Sequence, residues 1–190
     1  VPGGMLAVLG VDLEVIQLMC QEIQNSTGLV IEIANDNCPG QAVVAGEQKA
    51  LDKFSQECEQ RGFIPPRQLN VSVAPHTSLM EAALPGFLKV LSSTSIRPPS
   101  IPVLGNVSAD WLNTAELVRE DLHQQLTHAV RWTTSMQRLV NTGIDMVIEV
   151  GPGNVLTGLM RWIDRSVKRI NLGDNLDKLA DVMGILSDKA

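Results

Sequence analysis

The residue in this chain best suited to chemistry is His76, within the segment Leu69–Met80, which reads L-N-V-S-V-A-P-H-T-S-L-M. Valines alternate there with polar residues, which predicts a half-buried strand over Gln68–Val73 that Pro75 ends before a helix begins. An imidazole between a strand and a helix can reach a substrate and act as a general base near neutral pH. The alternative is an ordinary solvated or capping loop histidine.

A general base needs a nucleophile, and the chain has no G-x-S-x-G motif that would mark one. Ser72, Thr77 and Ser78 are too close to His76 in sequence to be obvious partners. No Asp or Glu is placed to orient the imidazole, as a catalytic triad requires. From the residues alone, His76 is therefore half of a catalytic site.

Two glycine-containing segments are candidate binding loops. The run Glu149–Leu159, E-V-G-P-G-N-V-L-T-G-L, predicts a strand, a turn and a helix whose N–H groups point at an anion. It fails as a dinucleotide fingerprint because Leu156 stands at the third glycine position, so a structural turn is favoured. The cluster N-D-N-C-P-G, with Asn35 and Asn37, predicts a hairpin tip that is structural when taken alone.

Composition indicates a globular chain. Of 190 residues, 44% are hydrophobic and only 3% aromatic, and the net charge is −6. These values argue against nucleic acid as the main partner, and no apolar run approaches the roughly 20 residues that cross a bilayer. Three cysteines, an odd number, favour free thiols in a reducing cytoplasm, with Cys20 and Cys58 at apolar helix positions. No pair of Cys or His has zinc-ligand spacing, so neither a metal nor another cofactor is predicted.

Periodicity predicts an α/β chain of two parts. The first part follows the order β-α-β-β-α-β of a ferredoxin-like fold, and strands then alternate with helices as in an α/β layer. The second part has too few strands for a full sheet, which favours an α/β domain whose first half is not in this sequence. The predicted strands are Met5–Gly10, Leu29–Ala34, Gln41–Ala45, Gln68–Val73, Ile101–Val107, Asp145–Val150 and Val167–Asn171. One helix is predicted after Asp12, one over Glu47–Arg61, one ending at Leu91 and one beginning near Asn113. Three more are predicted over Trp132–Asn141, Asn154–Arg165 and Asn175–Leu186.

Four blocks in the family's order resemble the malonyl-CoA:acyl carrier protein transacylases and the related acyltransferase domains of fatty-acid and polyketide synthases. The blocks are Asn35–Glu47, Val71–Met80, Pro102–Val107 and Glu149–Leu159, with Gln125–Trp132 (Q-L-T-H-A-V-R-W) between the last two. The resemblance implies an α/β-hydrolase-like core interrupted by a ferredoxin-like subdomain. Residues 1–73 would form the subdomain, and residues 74–190 would form the C-terminal part of the core.

The resemblance also implies the reaction. A serine attacks the malonyl thioester of coenzyme A, and the acyl-enzyme passes the malonyl group to the phosphopantetheine thiol of acyl carrier protein. His76 falls on the family's catalytic histidine, which activates the serine and then the thiol. Gln125 falls where a backbone carbonyl orients that imidazole, and Asn37 falls on an asparagine that lines the acyl pocket.

The family's serine elbow, its malonyl-binding arginine and its oxyanion-hole glutamine lie upstream of the segment that matches here. The resemblance therefore implies that the missing N-terminal half of the enzyme supplies the nucleophile and that this chain alone is inactive. The tetrapeptide Val73–His76 (V-A-P-H) matches neither motif that separates malonyl from branched extenders in modular synthases. Malonyl preference is thus inherited from the free-standing enzymes.

Two other classes of function stay open. One is a non-catalytic module that only binds carrier protein or another subunit, although such a module would not need His76 with Gln125. The other is a lipase-like hydrolase, which would want a carboxylate to orient the histidine. Carrier protein is generally acidic, so a basic patch is its expected docking site, and a scattered solvated face is the alternative. The candidate patch is Arg161, Arg165, Lys168 and Arg169.

Overall fold

The structure, a computed structural model, describes residues 3–173 and Gly184. The chain divides into two compact units, of which one ends at Ser135 and the other begins at Met136. The predicted helix Asn175–Leu186 falls, except for Gly184, outside the described residues. No helix among the described residues is long and apolar enough to cross a membrane.

The first unit is built on a five-stranded mixed sheet with the strand order β4-β1-β3-β2-β5. Strands β1 to β4 pair antiparallel, and β5 joins the edge of β2 in parallel. The strands are β1 (Gly3–Leu9), β2 (Ile31–Cys38), β3 (Gln41–Glu47), β4 (Arg67–Gln68) and β5 (Val130–Arg131). Helices α1 (Leu13–Thr27) and α2 (Gln48–Gln60) follow β1 and β3. The order β-α-β-β-α-β is therefore observed, as the periodicity predicts.

Alternating side chains build a core on each face of this sheet. Leu6 and Val44 point to one face, where they pack with apolar residues of α1 and α2 such as Phe54, which is fully buried. Val43 points to the opposite face and packs there with Ala74. The second core therefore fixes the segment that leads into His76.

The predicted end of the first hairpin strand at Ala34 is wrong, because β2 continues through the polar cluster to Cys38. The pairing of β2 with β3 shifts register twice, between Ile33 and Asn35 and between Asp36 and Cys38. On the side of β2 that faces away from β3, Asn35 and Asp36 pair with β5. This pairing joins residues almost a hundred positions apart in the sequence, so the local turn-forming composition could not reveal it.

The predicted strand over Gln68–Val73 is also largely wrong. Only Arg67 and Gln68 form a strand, and Val71 and Val73 are 41% and 53% exposed. The chain leaves the sheet after the Leu69 N–H donates to the carbonyl of Met5 at 2.9 Å, close to the start of β1. The valine alternation therefore lies on an irregular segment rather than on a buried strand.

The rest of the first unit is helical or irregular. A 3₁₀ helix (Ser78–Ala83) leads into α3 (Leu84–Ser93), and α4 (Ala115–Gln125) begins at Thr114, whose hydroxyl accepts from the Leu117 N–H at 3.2 Å. The predicted strand Ile101–Val107 is wrong, because the structure has only an isolated bridge between Leu104 and Trp111 there. The next helix is α5 (Trp132–Val140).

The second unit contains the predicted strand–turn–helix–strand series. β6 (Met146–Glu149) and β7 (Lys168–Asn171) pair in parallel, and α6 (Val155–Ile163) connects them. The residues of β6 are only half-buried, whereas the apolar run predicts a buried strand. A sheet of two strands cannot enclose its own faces, which explains the difference.

The three cysteines are free and buried, as predicted for Cys20 and Cys58. Burial raises the pKa of the Cys20 thiol to about 12 and that of the Cys58 thiol to about 11. Burial also raises the pKa of Cys38, with a smaller contribution from the nearby charge of Asp36. All three side chains are therefore neutral thiols near pH 7.

Candidate functional site

His76 lies in a turn between Ala74 and the 3₁₀ helix, and its backbone is left-handed, with a φ of +64°. That conformation costs a residue with a side chain about 1–2 kcal/mol, so surrounding contacts must hold it. The C-terminal end of α4 supplies two of them. The backbone N–H of His76 donates to the carbonyl of Leu126 at 2.9 Å, and the ring Nδ1 lies 2.6 Å from the carbonyl of Gln125.

The contact with Gln125 defines the state of the imidazole. A carbonyl oxygen only accepts hydrogen bonds, so Nδ1 must carry the proton in this contact. In the neutral ring, Nε2 then holds the lone pair, which is the form that a general base needs. The structure thus brings together His76 and Gln125, and a backbone carbonyl lies where a triad would place an Asp.

Thr77, Ser78 and Glu32 also hold the turn, through contacts that sequence reasoning missed. Thr77 is fully buried and its hydroxyl donates to the carbonyl of Ala74 at 2.7 Å. The carboxylate of Glu32, on β2, accepts from the backbone N–H of Ser78 at 2.9 Å and from its hydroxyl at 2.6 Å. Glu32 is separated from Ser78 by 46 positions, so no local pattern could mark this pair.

A second missed residue, Asp121, anchors the loop that contains the block Pro102–Val107. Its carboxylate is 5% exposed and accepts from three consecutive backbone N–H groups and one hydroxyl. The loop passes so close that a Cβ on Gly105 would lie 2.3 Å from the carboxylate oxygen. Asp121 and Gln125 are one helical turn apart on α4, so one helix positions both this loop and the imidazole. The donors to Asp121 are the N–H groups of Asn106, Val107 and Ser108 and the hydroxyl of Ser108.

Asn37, the third predicted site residue, is half-buried near the end of β2, at the second register shift. Within the described part of the chain, no hydrogen bond joins it to His76 or Gln125. Its neighbour Asp36 accepts from the hydroxyl of Thr133 at 2.5 Å. Burial raises the pKa of Asp36 and outweighs the opposing effects of Thr133 and Arg131. The bulged end of β2 therefore carries a partly desolvated carboxyl group beside Asn37.

The glycine turn of the second unit binds a carboxylate of the chain itself. Glu149, at the end of β6, accepts from the N–H groups of Leu156 and Thr157 at 3.0 and 2.9 Å, in the first turn of α6. Burial of the Glu149 carboxylate opposes ionisation, but hydrogen bonds from Thr157, Leu156 and Asn171 outweigh it and lower the pKa. The turn is thus a capped strand-to-helix connection, in agreement with the structural interpretation.

Glu149→Gln is expected to destabilise the second unit at neutral pH by about 1 kcal/mol, the usual effect of losing a helix N-cap. Because the pKa of Glu149 is lowered on folding, its contribution is present above the ordinary value of 4.5 and is lost as the pH falls below it. Hydrogen exchange at Leu159 would show a difference between variant and parent at pH 7 that shrinks as the pH is lowered below 4.5. Glu59→Gln, on the exposed side of α2, is the control, and an equal change there would contradict the assignment.

The candidate basic patch includes Arg161, next in sequence to Trp162, which is 60% exposed near the end of α6. The guanidinium of Arg165 lies over the indole at 5.8 Å from the ring centroid. The guanidinium of Arg169 instead donates to backbone carbonyls, including that of Val167 at 2.8 Å. Arg161, Arg165 and Lys168 are exposed, so they are the members of the patch available to a partner.

The chain belongs to the acyl transferase domain family, which matches residues 1–172. Among curated proteins it is similar to the malonyl CoA-acyl carrier protein transacylase of Bacillus subtilis (strain 168). The two are 34% identical over 172 residues, which cover 90% of this chain and 54% of the relative. The predicted resemblance is therefore confirmed at the level of the family.

Solved structures give the same result. The malonyl-CoA:acyl carrier protein transacylase (FabD) of Xanthomonas oryzae pv. oryzae superposes with a TM-score of 0.90 at 35% identity, covering 96% of this chain and 58% of that one. PlMCAT is a malonyl-transacylase solved in complex with AntF, a type II PKS acyl-carrier protein. It gives a TM-score of 0.87 at 33% identity, and the match covers 92% of this chain and 56% of that one. The chain thus spans little more than half the length of the relatives that it matches.

Proposed function

We propose that this chain contributes the general base and part of the acyl pocket to an enzyme that transfers malonyl from coenzyme A to acyl carrier protein. The observation that carries the proposal is the contact between Nδ1 of His76 and the carbonyl of Gln125, at 2.6 Å. It leaves Nε2 free to take a proton from a serine hydroxyl during acylation and later from the phosphopantetheine thiol. Relatives of the same family are named for this transfer.

In this proposal the chain supplies His76 but not the nucleophile, which comes from the N-terminal half of the acyltransferase. The serine attacks the thioester carbonyl as His76 accepts its proton, and the coenzyme A thiolate leaves. The imidazolium returns its proton to that leaving group, and the neutral base then activates the carrier thiol. Asn37 is assigned to the wall of the acyl pocket because it falls on the asparagine that lines this pocket in the family. Its half-buried position on β2 supports the assignment.

The finer fold assignment follows the same relatives. We infer a ferredoxin-like subdomain in residues 1–73 and the C-terminal part of an α/β-hydrolase-like core in residues 74–190. The observed strand order β4-β1-β3-β2 and the two helices on one face support the first part. The compact unit reaches beyond residue 73 to Ser135 because β5 pairs with β2 and Ala74 packs on the sheet.

Intact-mass measurement of every polypeptide in the purified protein, after incubation with malonyl-CoA, tests the proposal. A malonyl adduct on a second polypeptide, discharged when holo acyl carrier protein is added, is the expected result for an enzyme whose other half carries the serine. An adduct on this chain would refute the claim that it lacks the nucleophile. The absence of both an adduct and a second polypeptide would identify an inactive fragment.

Carrier-protein docking at the basic patch makes a separate prediction. Reversing Arg165 and Lys168 to glutamate in the complete enzyme should raise the apparent KM for acyl carrier protein, because an acidic partner is then repelled. The KM for malonyl-CoA should stay unchanged. The matched control reverses Lys49 and Lys89, two exposed cations outside the patch. An unchanged KM for carrier protein, or an equal rise in the control, would remove the patch from the docking surface.

A further inference from the structure

We propose that Glu32 is a positioning residue for His76, acting through Ser78. The proposal rests on the proposed role of His76 as the base. It adds a residue that contacts the turn at Ser78, separately from the α4 carbonyls. In this arrangement the Glu32 carboxylate keeps the turn in the conformation that points Nδ1 at Gln125 and leaves Nε2 available.

The two oxygens of Glu32 make separate contacts with Ser78. One accepts from the backbone N–H at 2.9 Å and the other from the hydroxyl at 2.6 Å. Hydrogen bonds to an ionised carboxylate are shorter and stronger than those between neutral groups. The backbone of Glu32 is itself fixed, because it pairs with Ala45 of β3. The carboxylate is therefore an anchor attached to a paired strand of the five-stranded sheet.

The anchor acts on a strained backbone. His76 has a φ of +64°, its N–H and ring contact the carbonyls at the end of α4, and the Ser78 clamp holds the chain two residues further on. If the clamp is lost, the chain can relax to a negative φ, the conformation that residues with a side chain prefer. That rotation moves Nδ1 away from the carbonyl of Gln125. The expected consequence is a wrong tautomer and a misdirected Nε2.

Nitrogen-15 NMR of the histidine ring in the chain itself tests this inference without requiring activity. Glu32→Ala should lower the Nδ1–H tautomer fraction of His76 and speed solvent exchange of that proton about tenfold, as expected for loss of a hydrogen bond to a charged group. Ser78→Ala should move both readouts in the same direction. Glu32→Gln, which keeps one acceptor oxygen, should give an intermediate result.

Glu47→Ala is the matched control. Glu47 makes the same type of bond in the same sheet, since its carboxylate accepts from the Val30 N–H at 2.8 Å, but it does not contact the turn. The control should leave the His76 tautomer and exchange rate unchanged. Wild-type ring signals in a folded Glu32→Ala chain, or equal changes in Glu47→Ala, would overturn the inference. If Glu32→Ala does not fold, the His76 tautomer fraction and exchange rate in Glu32→Gln and Ser78→Ala test the inference instead.

In the complete enzyme, Glu32→Ala should lower kcat about tenfold and leave KM for malonyl-CoA within about twofold, because substrate binding does not depend on the tautomer. A fall confined to KM would contradict a positioning role. The failure of the proposed function would look different, since His76 variants would then retain transfer while the NMR result for Glu32 still stood.

Discussion

Replacing His76 by alanine in the complete enzyme is expected to lower malonyl transfer by about two orders of magnitude or more, the usual contribution of a general base. The reason is the geometry of the ring, in which Nδ1 is engaged at 2.6 Å by Gln125 and Nε2 alone is free to accept a proton. In the proposed mechanism both half-reactions use that nitrogen. Acylation from malonyl-CoA and discharge to carrier protein should therefore slow together.

Two variants separate chemistry from folding. Because His76 has a left-handed backbone, His76→Asn keeps a residue that tolerates this conformation but cannot serve as the base. It should be as inactive as His76→Ala and closer to the parent in stability. His128→Ala is the matched control, because the exposed His128 ring also contacts a carbonyl of α4, that of Gln124, at 3.1 Å. Near-parental transfer by His76→Asn, measured by the rate of malonyl loading of carrier protein, would refute the assignment.

Asp121→Ala is expected to lower the free energy of unfolding by about 3 kcal/mol or more. Loss of the carboxylate leaves three backbone N–H groups without their partner, and each buried donor without an acceptor costs about 1–3 kcal/mol. Asp121→Asn keeps the shape but has one acceptor oxygen and an opposing donor, so its effect should be smaller yet clear. Urea unfolding gives both values from the midpoint and slope.

The control for Asp121 is Asp52→Asn, because Asp52 also lies on a helix but accepts only a single exposed bond from Gln48, at 2.8 Å. Its loss should change stability by less than about 0.5 kcal/mol. Gly105→Ala tests the same loop from the other side, since an added Cβ would lie 2.3 Å from the Asp121 carboxylate. Parental stability of both Asp121→Ala and Gly105→Ala would show that the loop does not depend on this contact.

The helices and the central strands could be predicted because their patterns are local. α1 ends at Gly28 and α2 just before Gly62, both with positive φ, as the C-cap glycines indicate. The centre of β3, residues 42–45, is apolar because it is buried on both faces. The edges of the sheet could not be predicted, since the extension of β2 depends on its pairing with β5 and the short β4 depends on its pairing with β1, both distant in sequence.

The candidate site divides in the same way. His76 could be singled out from its neighbours in the sequence, and Gln125 and Asn37 only through a family resemblance. Glu32 and Asp121 could not be found by either route, because a carboxylate on a strand or helix looks like an ordinary surface residue until its partners are known. Their function depends on segments 46 and about 15 positions away.

Because all three cysteines are buried, the rate at which they react with a thiol reagent reports the opening of the folded chain. A thiol reagent reacts with a thiolate that is exposed to solvent. In the folded chain Cys20, Cys38 and Cys58 are neither exposed nor ionised, because they are buried and their pKa values are raised. Labelling therefore proceeds through molecules that have opened. Cys20 lies on α1 and Cys58 on α2, both in the core, and Cys38 lies at the end of β2. The order in which the three thiols react would distinguish loosening of the helical layer from fraying of the strand that carries Asn37, without introducing any label into the sequence.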